Sequence, residues 1–246
     1  MKYRVILLGS GFNDISFRIF IIWATVGLVI TGLDISILTV ENWSLPEWLK
    51  YFFIQCLLLG DFIFNLLAAL VVVLLYSQWI GWGRALAGLF LVGFCGAMAE
   101  WVGTQTGFPF GDYHYTANMG PMIAGKLPWA IPLAWWSVVG GFHLIFRTYW
   151  NALGPWSTAL LVGAAATLFD WVMEPYAWEI KGYWHWHGNS VPLLNYISWF
   201  VLSAIFSIVL NAIGAIPKPK RSVAVWQAIV TLALMTTIFL LGRAVQ

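Results

Sequence analysis

The sequence predicts an all-α protein, a polytopic membrane helix bundle of about seven transmembrane helices. Of its 246 residues, 61% are hydrophobic and only 9% are charged, whereas a soluble domain carries roughly 25% charged residues. A water-soluble core of this size could not bury so much apolar surface, but a lipid bilayer can. The 17 tryptophans and 9 tyrosines agree with this interpretation, because amphipathic aromatic rings favour the level of the lipid headgroups.

A membrane-spanning helix needs roughly 20 apolar residues, and seven stretches of the chain qualify. Their approximate bounds are Phe17–Val40, Tyr51–Tyr76, Arg84–Val102, Trp129–Trp150, Trp156–Trp178, Leu193–Ile213 and Val223–Leu241. No composition shift or internal repeat divides them, so we expect a single integral membrane domain over residues 1–246. The apolar patch before Asn13 is too short for a signal peptide, which predicts an uncleaved first helix.

Basic residues in short loops predict the orientation, because Lys and Arg accumulate on the cytoplasmic side. The side of the N-terminus receives eight of them, namely Lys2, Arg4, Arg18, Arg84, Arg147, Lys218, Lys220 and Arg221. The other side receives four, namely Lys50, Lys126, Lys181 and Arg243. We therefore expect a cytoplasmic N-terminus, with the loops Gly103–Leu127 and Glu179–Val191 together on the outer side.

Polar side chains converge near the helix ends on this outer side, namely Asp34, Glu100, Asp170, Glu174 and Asn195. Ionisable residues within membrane spans are costly and normally face a bundle interior or a cavity. Asp170 and Glu174 are four residues apart and share one helix face, and Asp61 and Asn65 repeat that spacing. Alternatively, such residues can serve only a structural role, in which their side chains form hydrogen bonds between neighbouring helices. For Asp34 and Asp61 both interpretations stay open, whereas the cost of three carboxylates favours a functional role for Glu100, Asp170 and Glu174.

The segment Gly103–Tyr115 directly follows Glu100 and contains three glycines and a proline, which favour tight turns. Its aromatic residues predict a loop that folds back into the outer half of the membrane and lines a cavity. If the loop ends in an extended strand, Tyr113 and Tyr115 point the same way and can face that cavity. The alternative is that both tyrosines are interfacial anchors.

Several classes of site are disfavoured by the sequence. The net charge of +2 comes from scattered basic residues, so we expect no nucleic-acid partner. Cys56 and Cys95 lie in apolar runs without the spacing of a disulfide framework or metal site. The W-H-W-H run over Trp184–His187 has no clearly placed third ligand, so it predicts an interfacial loop rather than a metal site. The last predicted helix has no lysine to form a retinal Schiff base.

Four motifs resemble those of a known family. They are A-E-W-V-G-T-Q-T-G-F-P-F-G-D-Y-H-Y over Ala99–Tyr115, P-L-A-W over Pro132–Trp135, D-W-V-M-E-P over Asp170–Pro175, and P-L-L-N-Y-I-S-W-F over Pro192–Phe200. The chain resembles the membrane carotenoid biosynthesis family over roughly residues 61–213. That family includes the CruF-type carotenoid 1,2-hydratases and the archaeal bisanhydrobacterioruberin hydratases.

The resemblance implies a hydro-lyase that adds water across the terminal 1,2 double bond of an acyclic ψ end group and forms a tertiary 1-hydroxy carotenoid. It implies no cofactor, an acyclic or monocyclic polyene as substrate, and a multi-pass position in a prokaryotic plasma membrane. The expected partners are the carotenoid, the lipid bilayer and other membrane enzymes of the carotenoid pathway.

This chemistry suits the residues, because protonation of C2 leaves a tertiary cation at C1 that a water molecule captures. A buried carboxylic acid can supply the proton, and a second carboxylate can deprotonate the water. We expect Glu100, Asp170 and Glu174 to be catalytic, with Asp170 or Glu100 as the acid and Glu174 as the base. The expected substrate-binding residues are Trp101, Thr104, Tyr113, His114, Tyr115, Trp171, Trp184, Trp186 and Asn195.

Two alternatives remain open from the sequence. A carotenoid or isoprenoid isomerase or cyclase would use the same proton-first chemistry, and would differ only in what captures the cation. A non-enzymatic protein that binds or transports lipid or carotenoid, or couples transport to protons, would instead use the acids as a relay across the membrane. Clustering of the acids on one side argues against the relay.

Overall fold

The computed structural model describes residues 11–150, 152–188, 190–214 and 223–245, and these are mostly helical. Within them lie eight α-helices: α1 (Gly11–Gly32), α2 (Ile37–Glu41), α3 (Glu47–Ile80), α4 (Trp82–Thr106), α5 (Ala130–Tyr149), α6 (Pro155–Glu174), α7 (Leu193–Ile213) and α8 (Val223–Ala244). Four short strands lie in the loops: β1 (Tyr113–Tyr115), β2 (Met122–Ile123), β3 (Leu127–Pro128) and β4 (Trp184–Trp186). A 3₁₀ turn (Ala117–Met119) follows β1, and a π-helical turn (Pro175–Ile180) extends α6. The prediction of an all-α fold is confirmed.

Six helical segments of the described chain are long and apolar enough to cross a membrane, namely Asp14–Gly32, Glu47–Ile80, Trp82–Thr106, Pro155–Ile180, Leu193–Ile213 and Val225–Ala244. The chain is therefore an integral membrane protein. The fourth predicted span corresponds to α5, which has 20 residues and carries His143 and Arg147, and it is not among these six segments. Because α5 contacts α3, α4, α6 and α8, most of its surface faces protein rather than lipid.

The predicted first span, Phe17–Val40, is wrong as a single helix. The helix α1 ends at Gly32, and Asp34 follows in a left-handed backbone conformation with φ of 49°. Ser36 then begins α2, where its side chain and that of Thr39 form a reciprocal capping box that stabilises a new helix start. Asp34 is exposed in the turn, so it does not join the other carboxylates.

The loops Gly103–Leu127 and Glu179–Val191 lie on the same side of the bundle, as predicted. Strands β1 and β4 pair antiparallel, with Tyr113 opposite Trp186 and Tyr115 opposite Trp184. The hydroxyl of Thr116 also donates to the Gly182 carbonyl at 2.6 Å. The orientation was predicted partly from basic residues that lie outside the described residues, namely Lys2, Arg4, Lys218, Lys220 and Arg221.

The loop after α4 folds back onto the helix ends. Phe110 is only 1% exposed, and its ring lies 6.4 Å from that of Trp135 on α5. The Ser198 hydroxyl on α7 donates to the Pro109 carbonyl. A Cβ added at Gly103 would lie 2.9 Å from the Phe110 ring, so the missing side chain allows the loop to pack directly on α4. These contacts position β1, and with it the paired strand β4, over the bundle.

Candidate active site

One cavity of about 380 Å³ lies beneath the β1–β4 ladder and is lined by Glu100, Asp170 and Glu174. Its size falls in the usual range of small-molecule sites, roughly 300–1,000 Å³. The three carboxylates come from α4 and α6 and are 5%, 1% and 2% exposed. Buried carboxylates are costly unless polar groups surround them, so their hydrogen-bond partners define what the site can do.

Glu100 accepts three hydrogen bonds from aromatic side chains. The hydroxyls of Tyr113 and Tyr115 both donate to Oε2, the latter at 2.9 Å, and the Trp135 indole donates to Oε1 at 3.1 Å. All three donors also line the cavity. Glu100 is thus a carboxylate held in an aromatic cage at the cavity wall.

Both tyrosines remain donors at ordinary pH. Burial, and next the negative charge of Glu100, hold the pKa of Tyr113 well above its usual value. The same two causes, in the same order, raise the pKa of Tyr115 well above its usual value. Because a raised tyrosine pKa favours the protonated hydroxyl, both side chains keep the proton that they donate to Glu100.

Glu174 has a second cage, built from the other strand. The indoles of Trp184 and Trp186 donate to Oε2 at 3.2 and 3.1 Å, and the Asn195 amide donates to Oε1 at 3.2 Å. Asn195 is 3% exposed at the start of α7. The ladder therefore supplies two donors to Glu100 from β1 and two donors to Glu174 from β4.

Asp170 lies one helical turn before Glu174 and has a poorer set of donors. The Asn195 amide donates to its Oδ2 at 2.7 Å, so one amide nitrogen bridges two carboxyl groups. Within the described part of the chain, this is the single hydrogen bond to its carboxyl. Asp170 and Glu174 thus share a helix face, as predicted, but have unlike surroundings.

Strand alternation sorts the loop residues between two faces. Tyr113, Tyr115, Trp184 and Trp186 face the cavity, whereas the histidines between them point outward. The rings of His114 and His185 lie 5.5 Å apart on that exposed face, and His114 is also 5.5 Å from the ring of His187. His187 Nδ1 lies 2.8 Å from a carboxylate oxygen of Asp112. Among the described residues, no group of three or more His, Cys, Asp or Glu is arranged to hold a metal ion.

Eight of the residues expected at the site come together around the cavity: Glu100, Asp170, Glu174, Tyr113, Tyr115, Trp184, Trp186 and Asn195. The other four, Trp101, Thr104, His114 and Trp171, lie outside its wall. Trp171 is 58% exposed, and Lys126 Nζ lies 5.8 Å above the Trp101 ring. The Thr104 hydroxyl donates to its own helix at the Trp101 carbonyl. Successive helical residues point in different directions, so Trp101 and Trp171 turn away from the carboxylates that precede them.

Sequence reasoning missed Trp135 as a site residue, although its motif P-L-A-W was recognised. An indole within a helix is an ordinary packing residue unless its partner is known, and the partner Glu100 is 35 positions away. The stacking of Trp135 on Trp199, with ring centroids 4.1 Å apart, fixes the indole that points at Glu100.

Asp61 and Lys181 form an ion pair on another part of the cavity wall, with Nζ 3.4 Å from Oδ2. Burial is the largest single influence on Lys181 and lowers its pKa, but the interactions with Asp61 and Tyr176 together outweigh it, so the net pKa is raised. Asp61 thus has a partner across the cavity, which ties α3 to the segment that leads into β4.

Comparison with known proteins agrees with the motifs. The sequence model of the carotenoid biosynthesis protein family matches residues 60–246 of this chain, which is well over half of its length. The chain belongs to the carotenoid biosynthesis protein family. The matched region begins on α3 and includes both cages and Asn195, so the polar end of the cavity lies within the part that defines this family.

A bisanhydrobacterioruberin hydratase of Haloarcula japonica is 30% identical to this member of the family over 111 residues. The match covers 43% of this chain and 38% of the relative, so the chain matches well under half of that protein's length. No solved structure matches the chain.

Proposed function

We propose that this protein is a carotenoid hydratase, a hydro-lyase that adds water to the terminal 1,2 double bond of an acyclic ψ end group. The observation that carries the proposal is one cavity lined by three buried carboxyl groups with different sets of donors. Membership of the carotenoid biosynthesis family and partial likeness to a protein named as a hydratase support the choice of substrate.

Asp170 is the proposed acid. Hydrogen bonds from neutral donors stabilise a charged carboxylate, and both Glu100 and Glu174 accept bonds from three side chains. Asp170 receives only the bond from Asn195 and lies beside Glu174, so it is the carboxyl group that most readily keeps its proton. Transfer of that proton to C2 of the end group forms a new C–H bond and leaves a tertiary cation at C1.

The cages stabilise the cation. The carboxylates of Glu100 and Glu174 supply negative charge, and aromatic faces such as Trp186 and Tyr113 line the same space. Each aromatic face contributes about 0.5–2 kcal/mol to the stability of a nearby cation. Because the carboxylates are already held by their donors, they need not reorganise as the charge develops.

Glu174 is the proposed base. Water forms the C1–O bond as Glu174 takes one of its protons, and the product is a tertiary alcohol. Asp170 has then lost a proton and Glu174 has gained one. Return of that proton to Asp170, one helical turn away, restores the starting state, so the cycle consumes only the alkene and water and needs no cofactor.

We further propose that the protein works in a prokaryotic plasma membrane with a cytoplasmic N-terminus, as one domain over residues 1–246. The cavity would then lie in the outer half of the bilayer. Other membrane enzymes of the carotenoid pathway would supply the polyene or accept the alcohol.

The test is expression of the chain in a lycopene-producing bacterium, with mass spectrometry of the extracted pigments. The expected result is a gain of one water per reacted end group, absent from an Asp170→Asn variant produced at the same level. A pigment of unchanged mass but altered retention would favour the isomerase or cyclase, in which the cation loses a proton or closes a ring. Unaltered pigments with intact membrane protein would count against an enzyme acting on this end group.

A further inference from the structure

The cavity has a second, apolar part that the proposed chemistry does not use. It continues from the carboxylates into a space between α1 and α3, lined on α1 by Val26, Gly27 and Ile30 and on α3 by Phe52, Cys56 and Gly60. We call these six residues and the space between them the α1–α3 arm. On α3 the three residues recur every four positions, and on α1 Val26 and Gly27 lie four and three positions before Ile30, so each set borders one face of its helix.

The α1–α3 arm is open at its side. Val26 is 45% exposed and Phe52 is 57% exposed, although both also line the cavity. In a membrane protein such exposed apolar side chains face hydrocarbon, so the wall of the arm is also the lipid-facing surface. The Trp23 indole donates to the Gly60 carbonyl at 3.1 Å and fixes α1 against α3 beside this opening.

Gly60 keeps the arm open. A Cβ built at this position has no heavy atom within 4 Å, although Gly60 lies in the middle of a helix. Glycine costs a helix interior roughly 1 kcal/mol relative to alanine, so its presence beside empty space is not explained by packing. Gly27, on the facing helix, also leaves room, since its nearest neighbour would be Ile238 at 3.7 Å.

We propose that the α1–α3 arm binds the linear hydrocarbon chain of the substrate and is the portal through which that chain enters from the bilayer. The identity of the occupant rests on the proposed function, because an end group among the carboxylates must be followed by the rest of a long polyene. The arm is continuous with the acid site, apolar along both helices, and open to hydrocarbon where the chain must leave. The wall formed by the two cages, in contrast, presents hydrogen-bonded carboxylates to the cavity.

The two cysteines of the chain provide a direct test that needs no turnover. Cys56 lines the arm, whereas Cys95 is exposed on α4 and lies outside the cavity wall. The purified protein in lipid nanodiscs is treated with N-ethylmaleimide, with and without lycopene, and labelling of each cysteine is followed by peptide mass spectrometry. With lycopene at about ten times its dissociation constant, labelling of Cys56 should slow about tenfold, and labelling of Cys95 should not change.

Two glycine variants form a matched pair, in which one fills the arm and the other is the control. Gly60→Leu places a side chain in the arm, where an added Cβ meets nothing within 4 Å, and should abolish the protection of Cys56. Gly83→Leu, on α4, also meets nothing within 4 Å but lies outside the cavity, and should retain it. If Cys56 reacts too slowly to follow, Val26→Cys in a Cys56→Ser background moves the probe to the mouth of the arm.

The outcomes separate this proposal from the proposed function. Hydrated pigments in the bacterium would support the proposed hydratase function. Equal labelling of Cys56 with and without lycopene would nevertheless contradict the proposal that the α1–α3 arm binds the polyene. The same holds for equal labelling of the introduced thiol in the Val26→Cys variant. Selective protection without hydrated pigments would support the arm as a polyene site and count against hydration. Equal protection in Gly60→Leu and Gly83→Leu would place the polyene elsewhere and overturn the arm.

Discussion

Tyr113 and Trp186 face each other across the β1–β4 ladder, with ring centroids 4.9 Å apart, and each donates to a different buried glutamate. Tyr113 donates to Glu100 and Trp186 to Glu174. One cross-strand pair therefore links the two caged carboxylates, and the register of a three-residue ladder decides whether both cages form. Each cage can be tested by removing one donor.

Tyr113→Phe removes one donor from Glu100 while keeping the ring that packs on Trp186. Hydrogen bonds to charged groups contribute roughly 1.5–3 kcal/mol, and Tyr115 and Trp135 remain to hold the carboxylate. We expect kcat for pigment hydration to fall by about 10- to 100-fold, since 1.4 kcal/mol corresponds to a factor of ten, with little change in KM. Tyr51→Phe on the exposed surface of α3, where Tyr51 is 66% exposed, is the matched control. A Tyr113→Phe enzyme as fast as the control would remove this cage from the mechanism.

The three carboxyl groups can be neutralised one at a time by amides of the same size. Asp170→Asn, Glu174→Gln and Glu100→Gln should each abolish measurable hydration, because an amide cannot cycle a proton or offset a cation. Glu179→Gln, exposed on the π-helical turn, is the control and should keep full activity. Activity is compared at equal amounts of membrane-inserted protein, and near-normal rates in all three variants would exclude the trio.

Much of the polar end of the site could be predicted from sequence because it follows from periodicity. The spacing of Asp170 and Glu174 places both on one helix face, and alternation in the strands places Tyr113 with Tyr115. The same rules explain why Trp101 and His114, each adjacent to a true cavity residue, point elsewhere. Adjacency in sequence is therefore weaker support for a site than spacing that matches the local structure.

The apolar end of the cavity could not be predicted in this way. The first helix was expected to continue to Val40, but the turn at Asp34 and the cap at Ser36 interrupt it. The α1–α3 arm depends on how far apart two apolar helices lie, which hydropathy does not report. The open space at Gly60 is likewise visible only once the facing helix is in place.

Metal removal should leave the reaction unchanged. The proposed cycle moves protons between carboxyl groups, and the exposed histidines His114, His185 and His187 lie on the far side of the ladder from the cavity. We expect full hydration activity after exhaustive treatment with EDTA, and also in a His114→Ala/His187→Ala double variant. Loss of activity on chelation, with recovery on adding one particular metal, would contradict this and direct attention to the outer face of the ladder.

Asn195 contacts both the proposed acid, Asp170, and the proposed base, Glu174. Its amide nitrogen donates to Asp170 at 2.7 Å and to Glu174 at 3.2 Å, so it holds two neighbouring carboxyl groups in fixed positions. Asn195→Ala leaves Asp170 without this donor and Glu174 with only its two indoles, and buried polar groups that lose a partner are costly by about 1–3 kcal/mol. We expect a loss of hydration of at least about tenfold, accompanied by a lower thermal unfolding temperature.

Asn195→Asp separates positioning from packing, because it keeps the size of the side chain but replaces the donor with a further carboxyl group beside Asp170 and Glu174. Like charges at close range disfavour ionisation, so this variant should perturb protonation of the pair more than Asn195→Ala does. The measurement is the pH profile of kcat, which should shift in Asn195→Asp and keep its shape in the control Asn211→Asp, at the far end of α7. A purely structural role for Asn195 would instead lower the amount of folded protein in both Asn195 variants while leaving the pH profile of the remaining activity unchanged.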